Sequence, residues 1–150
     1  MKIGFFETLP ILQQKLTKEF SRDFVGKNVI LEAVREKEDY DLILCDKNYF
    51  PASPPFRGKI YLVPGSARIL SLPTEGVLLT GGMNREDAVS FSSIGEESGM
   101  ICLEKEIFLE GRSIFPYECK VPFDRSFSLY KNIASGFARS LITQLFTEEL

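Results

Sequence analysis

Two acidic side chains that follow predicted strands are the first candidates for chemistry. Glu7 comes directly after the apolar run Lys2 to Phe6, and Asp46 comes after the run Asp41 to Cys45. Carboxylates at strand ends can act as a general base or bind Mg²⁺, which takes oxygen ligands. The alternative is that each acid caps a turn or a helix. One hypothesis is therefore a small metal-assisted enzyme that acts on an anionic metabolite, with Asp46 or Glu7 as the base.

A second candidate site is the Gly65-Ser66 turn, which leads to Arg68. Backbone N–H groups and a guanidinium there would bind an anion, as helix N-termini bind phosphate. The alternative is that Gly and Ser only make the turn. The pair Gly81-Gly82 also follows a predicted strand, and a turn that needs positive φ explains it equally. The predicted ligand-binding residues are Glu7, Asp46, Lys47, Gly65, Ser66, Arg68, Gly81 and Gly82.

Composition removes several classes of chemistry. The 150 residues include no histidine, so no Ser-His-Asp or Cys-His site can form, and the commonest transition-metal ligand is missing. A net charge of −3, without a basic stripe, argues against nucleic acid as a partner. Three widely spaced cysteines and an N-terminus that reads as a strand predict a cytoplasmic protein with no membrane segment. The leading hypothesis assigns no catalytic or metal-binding residue, and no cofactor is identified.

The elements that must position these residues follow from hydrophobic periodicity. Leu9, Leu12, Leu16 and Phe20 recur at helical spacing after the first strand. Nearly continuous apolar runs predict buried strands of a mostly parallel sheet. Further strands are predicted at 28–34, 41–45, 59–63 and 76–80. The crossovers between them are short: 47–58 holds three prolines and is predicted to be a loop, and 66–72 allows at most two helical turns. We therefore predict an α/β fold with a Rossmann-like N-terminal sheet.

The C-terminal half shows a different pattern. Antiparallel strands are predicted at 88–94, 100–109 and 113–121. A three-residue loop would pair Ile101 with Val121, Leu103 with Cys119 and Ile107 with Phe115. We prefer this register to the one set by a two-residue Glu110-Gly111 turn, because it gives one apolar face.

The last segment, 124–150, predicts a long amphipathic helix. It begins with Asp124 as the cap and packs on the sheet. No linker is evident, so we predict a single domain, 1–150.

Three aromatic residues in the proline-rich segment have no periodic face to join. Tyr49, Phe50 and Phe56 either form an exposed hydrophobic lip or contact patch, or fold down onto the core.

The stretch from Gly76 to Ala138 resembles the tail of the central domain of Mur-type ligases. The resemblance is carried by GVLLTGG, MNREDAVSFSSI, EKEIFLEGRSIFPYECKVPF and NIASGFA. It departs from that family in having no G-x-x-x-x-G-K-[ST] loop and no histidine. The resemblance implies a free-standing domain that retained the shape and lost the ATP chemistry. The whole chain is also similar to small bacterial proteins, which implies no activity.

The sequence thus leaves three functions open. The leading one is a non-catalytic domain that binds a partner protein or a small anionic ligand at the carboxyl ends of the strands. The metal-assisted enzyme is the second. The third is a structural homo-oligomer, in which the apolar stripe of the C-terminal helix packs against another copy.

Overall fold

The computed structural model describes residues 1–6, 10–46, 49–51 and 54–147. The chain divides into two compact units, Met1–Leu79 and Thr80–Leu150. The elements, in chain order, are β1 (Lys2–Phe6), α1 (Pro10–Asp23), β2 (Ile30–Ala33), β3 (Asp39–Cys45), β4 (Tyr49–Phe50), β5 (Arg57–Pro64), β6 (Arg68–Ile69), β7 (Val77–Gly81), β8 (Val89–Ile94), β9 (Ser98–Leu103), β10 (Ile107–Leu109), β11 (Arg112–Ile114), β12 (Tyr117–Pro122) and α2 (Leu129–Thr147). The protein is α/β, as predicted. Neither described helix is long and apolar enough to cross a membrane. The single domain stays a prediction.

The first unit is built on a parallel sheet. Strands β2, β1, β3 and β5 are neighbours in that order and pair in parallel, with β7 beside β5. Along β3, the consecutive residues Leu42, Ile43 and Leu44 are all buried, so both faces of the sheet are covered. This is why the strands appear as continuous apolar runs, and the parallel N-terminal sheet is confirmed.

Helix α1 buries three of the four residues that the sequence periodicity selected, and the fourth, Leu9, lies outside the described residues. Leu12, Leu16 and Phe20 are almost fully buried, at helical spacing on one side of the helix. Pro10 is its first residue, where the missing N–H breaks no helical hydrogen bond. The predicted helix is therefore confirmed, and its apolar stripe contributes to the core of the first unit.

An aromatic cluster forms a second part of the core of this unit. Phe50 and Phe56, from the proline-rich segment, are fully buried in it. The Phe56 ring lies 4.7 Å from that of Phe6, and the Phe50 ring meets Tyr61 edge-on at 5.2 Å. The buried members of the cluster are Tyr40, Ile43, Cys45, Phe50, Phe56, Tyr61 and Val63. Phe50 and Phe56 therefore lie on the core and do not form an exposed lip or contact patch.

The second unit carries the antiparallel part of the fold. Strand β9 lies between β8 and β12 and pairs antiparallel with both, while Gly81 at the end of β7 pairs in parallel with Val89. Helix α2 packs on these three antiparallel strands. Its buried residues are Ile133, Ala134, Phe137, Ala138, Leu141, Ile142 and Leu145. The predicted C-terminal helix on the sheet is confirmed.

The predicted hairpin register is wrong. Glu110 and Gly111 form a two-residue turn with φ values of 53° and 77°, so Ile107 pairs with Ile114 and not with Phe115. Positive φ at both positions matches the twist of two-residue hairpins, and this outweighs the apolar pairing that favoured a longer loop. Phe115 is instead 67% exposed.

The two long strands predicted in this half each divide into two. Ser98–Leu103 and Ile107–Leu109 replace the first, and Arg112–Ile114 and Tyr117–Pro122 replace the second. In β12, Cys119 lies opposite Ile101 and not Leu103, while Cys102 lies opposite Glu118. The register is therefore shifted by one residue between the hairpin and the β9–β12 pair.

The start of helix α2 also differs from the prediction. The helix begins at Leu129, and the Ser128 hydroxyl accepts the N–H of Lys131 at 3.2 Å, so Ser128 is the N-cap. Asp124 instead accepts the N–H and hydroxyl of Ser126. At the other end, Arg112 donates to the carbonyls of Gln144 and Leu145, which the helix leaves without internal partners.

The segment before the helix is held by one buried side chain. Asn132 is 4% exposed, and its Nδ2 donates to the carbonyls of Asp124, Ser128 and Phe127 at 2.8, 3.0 and 3.3 Å. Its Oδ1 accepts the N–H of Asp124 at 2.8 Å. A single amide thus bonds backbone groups of the N-cap residue and of the segment before it.

We expect Asn132→Ala to destabilise the protein by about 2–3 kcal/mol, because it removes a buried amide that makes four hydrogen bonds to the backbone. Ser128→Ala, which removes only the N-cap, should cost about 1 kcal/mol. Urea unfolding followed by circular dichroism measures both values. An equal or smaller loss for Asn132→Ala would contradict this role for the amide.

Candidate functional site

The carboxyl ends of β3 and β5 lie side by side in the first unit. Leu44 pairs with Leu62, so Asp46 and Gly65 follow neighbouring strand ends. Asp46 is half-buried and comes after Cys45, whose thiol pKa is raised by burial. Two of the other predicted residues, Glu7 and Lys47, lie outside the described residues. The structure therefore brings Asp46 and the Gly65 turn to the same edge of the sheet.

The Gly65-Ser66 turn is exposed but does not begin a helix. The N–H of Ala67 donates to the carbonyl of Pro64 at 2.9 Å and closes the turn. The short strand β6 follows, where the sequence suggested up to two helical turns. The expectation that this turn resembles a phosphate-binding helix N-terminus is therefore wrong. The N–H of Ala67 is already used in a hydrogen bond within the turn.

The short strands β4 and β6 form a two-stranded parallel ribbon beside this turn. Tyr49 lies opposite Arg68, and Phe50 lies opposite Ile69. Side chains alternate along a strand, so the two pairs face opposite sides of the ribbon. Phe50 is fully buried and Ile69 packs against the aromatic cluster, whereas Tyr49 is 43% exposed and Arg68 is exposed.

The outward pair is defined here as the Tyr49–Arg68 surface. Among the residues that the structure describes, no carboxylate forms an ion pair with Arg68. Its guanidinium therefore keeps donors for a ligand, next to an aromatic ring on the neighbouring strand. A planar guanidinium suits carboxylate and phosphate groups because it can donate two parallel hydrogen bonds.

The Gly81-Gly82 pair belongs to the second unit. Ligand binding by these glycines stays a prediction, whereas the alternative of a turn with positive φ is wrong. Neither glycine has positive φ. Gly82 donates its N–H to Val89, and a Cβ at this position would lie 2.4 Å from Oδ2 of Asp87. That oxygen accepts the N–H of Asn84 at 3.0 Å, and Asp87 is 4% exposed. Gly82 is therefore required by the close approach of a buried carboxylate.

Sequence reasoning missed two features of these sites. The sequence predicts for Tyr49 only a hydrophobic lip, a contact patch or a place on the core, whereas its pairing with Arg68 gives it a polar neighbour. The sequence gives only a weak signal for Asp87, because an acid five residues after a glycine does not by itself predict a carboxylate that closes the loop. Both assignments depend on strand pairing or loop closure, which residue types do not reveal.

The other two functions considered from the sequence stay predictions. Within the described residues, no group of three Cys, Asp or Glu side chains is placed to hold a metal ion. The metal-assisted enzyme with Asp46 or Glu7 as base stays a prediction. The homo-oligomer also stays a prediction, but the α2 stripe that suggested it is buried against β8, β9 and β12.

No protein-family model matches the chain, and no curated protein or solved structure matches it either. The fold defines the class as an α/β protein. The resemblance to the Mur ligases stays a prediction, because no comparison bears on it.

We expect Gly82→Ala to destabilise the protein by about 1–3 kcal/mol, because the added methyl group displaces the Asp87 carboxylate. In an Asp87→Ala background the same change should cost at least ~1 kcal/mol less, since the clash is gone. Urea unfolding of the four proteins of this cycle measures the coupling.

The control is Glu86→Ala, which changes an exposed acid and should show no coupling with Gly82→Ala. Strict additivity of Gly82→Ala and Asp87→Ala would refute the contact.

Proposed function

We propose that the chain is a binding protein and not a catalyst, and that it holds an anionic group on the Tyr49–Arg68 surface. The observation that carries the proposal is the Tyr49–Arg68 register, which directs an exposed guanidinium and an exposed aromatic ring to the same side of one ribbon. The opposite side of that ribbon is fixed in the core by Phe50. The surface is therefore held in place before a ligand arrives, which lowers the cost of binding.

The ligand is a carboxylate or phosphate group, carried by a small metabolite or by an acidic segment of a partner protein. Both sources present the same chemistry to Arg68. The exposed Gly65-Ser66 turn immediately precedes β6 and offers further polar backbone to the same group. The cytoplasm is the proposed location, because Cys45, Cys102 and Cys119 form no disulfide.

Thermal-shift measurements with inorganic phosphate, AMP and succinate test the small-metabolite source. A ligand at about 100 times its dissociation constant should stabilise the protein by roughly 2.7 kcal/mol, which is several degrees for a chain of this size. Fluorescence anisotropy with a labelled oligoglutamate peptide tests the partner source. The proposal is overturned if neither the peptide nor any of the three small anions binds to the protein.

Variants at the surface identify the binding group. Arg68→Ala should weaken binding at least about tenfold, because a charge-assisted pair of hydrogen bonds is lost. Arg68→Lys should recover only part of it, since an ammonium cannot donate the same parallel pair. Arg85→Ala makes the same charge change at an exposed position of the second unit and is the matched control. Equal weakening by Arg68→Ala and Arg85→Ala would indicate a general charge effect and would refute the proposed surface.

A further inference from the structure

A cavity of about 290 Å³ lies at the amino-terminal end of β5, within the first unit. Part of its wall is apolar, and part carries groups able to form hydrogen bonds and ion pairs. The apolar residues are Pro54, Phe56, Leu72 and Pro73, and the polar ones are Arg57, Tyr61, Thr74 and Glu75. Of the predicted ligand-binding residues that the structure describes, none lines this cavity.

The hydroxyl of Tyr61 accepts one hydrogen bond and can donate another. Tyr61 is 2% exposed, and its oxygen accepts the N–H of Gly58 at 2.8 Å. Its own O–H has no acceptor among residues 1–6, 10–46, 49–51 and 54–147. Buried hydroxyl donors are normally paired, because an unpaired one has lost its hydrogen bond to water. A ligand that offers an oxygen atom inside the cavity would supply the missing acceptor.

Two residues of opposite charge line the same cavity as Tyr61. Arg57 Nε pairs with Asp39 at 2.9 Å, whereas Glu75 is exposed and has no cationic partner in the described part of the chain. Both charges act on Tyr61: burial raises the pKa of the phenol, Glu75 raises it further, and Arg57 lowers it. The backbone after Glu75 packs against the ring, since a Cβ at Gly76 would lie 3.2 Å from Tyr61 Cε2.

We propose that this cavity binds a free apolar α-amino acid, whose carboxylate accepts the Tyr61 proton beside Arg57 and whose ammonium pairs with Glu75. The apolar wall formed by Phe56, Leu72 and the prolines receives the side chain. A volume near the lower end for small-molecule sites suits a ligand of this size. The site is independent of the Tyr49–Arg68 surface, since one lies at the amino-terminal end of β5 and the other follows its carboxyl end.

Isothermal titration calorimetry tests the proposal with L-leucine and L-phenylalanine as probes. Each has matched analogues that lack one charge: isoamylamine and phenethylamine lack the carboxylate, while isocaproate and hydrocinnamate lack the ammonium. At least one amino acid should bind, and its two analogues should each bind about tenfold more weakly or worse, because each leaves a polar group of the site unpaired. No binding of either amino acid at millimolar concentration, or equally strong binding of an analogue, would overturn the proposal.

Two variants assign the roles of the side chains. Glu75→Gln should weaken the amino acid about tenfold, and it should not weaken the carboxylate-only probe, because that probe has no ammonium to pair with Glu75. Tyr61→Phe should weaken binding of the amino acid and of the carboxylate-only probe, and it should leave the affinity for the amine unchanged. Glu75 is exposed, so its variant tests the site without disturbing the core, whereas Tyr61→Phe also removes the acceptor for Gly58.

The controls separate this site from the anion surface. Glu96→Gln, an exposed acid of the second unit, and Arg68→Ala should both leave amino-acid affinity unchanged. Unaltered affinity in Glu75→Gln, or the same loss in Glu96→Gln, would refute the ammonium contact. A loss of amino-acid binding in Arg68→Ala would assign the ligand to the Tyr49–Arg68 surface and not to this cavity.

Discussion

The first unit depends on burying the aromatic side chains of its proline-rich segment. A parallel sheet has two apolar faces, and the chain between β3 and β5 is too short and too rich in proline to supply a helix. Phe50 and Phe56 enter the aromatic cluster instead, against Tyr61 and Phe6. Full burial of a phenylalanine side chain is worth roughly 1.5–3 kcal/mol, so burying both rings favours a segment that lies on the core over one that exposes them to water.

Both proposed binding surfaces follow from that burial. With Phe50 turned inward, strand alternation turns Tyr49 outward, and the parallel register with β6 places Arg68 beside it. With Phe56 turned inward, its ring becomes part of the wall of the cavity at the other end of β5. The same packing that completes the core therefore positions polar groups at both ends of one strand, and neither surface relies on a helix N-terminus.

The second unit uses buried polar groups to fix its loops and helix. Asn132 holds the backbone before α2, and Asp87 closes the loop after Gly82. Ser140, also buried, donates to Phe137 and accepts the hydroxyl of Tyr117, whose pKa burial raises. Because an unpaired polar group inside a protein is costly, each of these contacts favours one arrangement of its segment.

The sequence by itself determined the elements whose side chains repeat with a strong period. Helix α1, the parallel strands and the apolar stripe of α2 follow from spacing alone, because burial selects residues at that spacing. The positions of Asp46, Gly65 and Arg68 near strand ends could also be predicted. Tertiary structure decided the hairpin register, the N-cap at Ser128, the strand at β6 and the pairing of Tyr49 with Arg68. These depend on which distant backbone groups meet, and the energies of the competing local arrangements differ too little for residue types to select one.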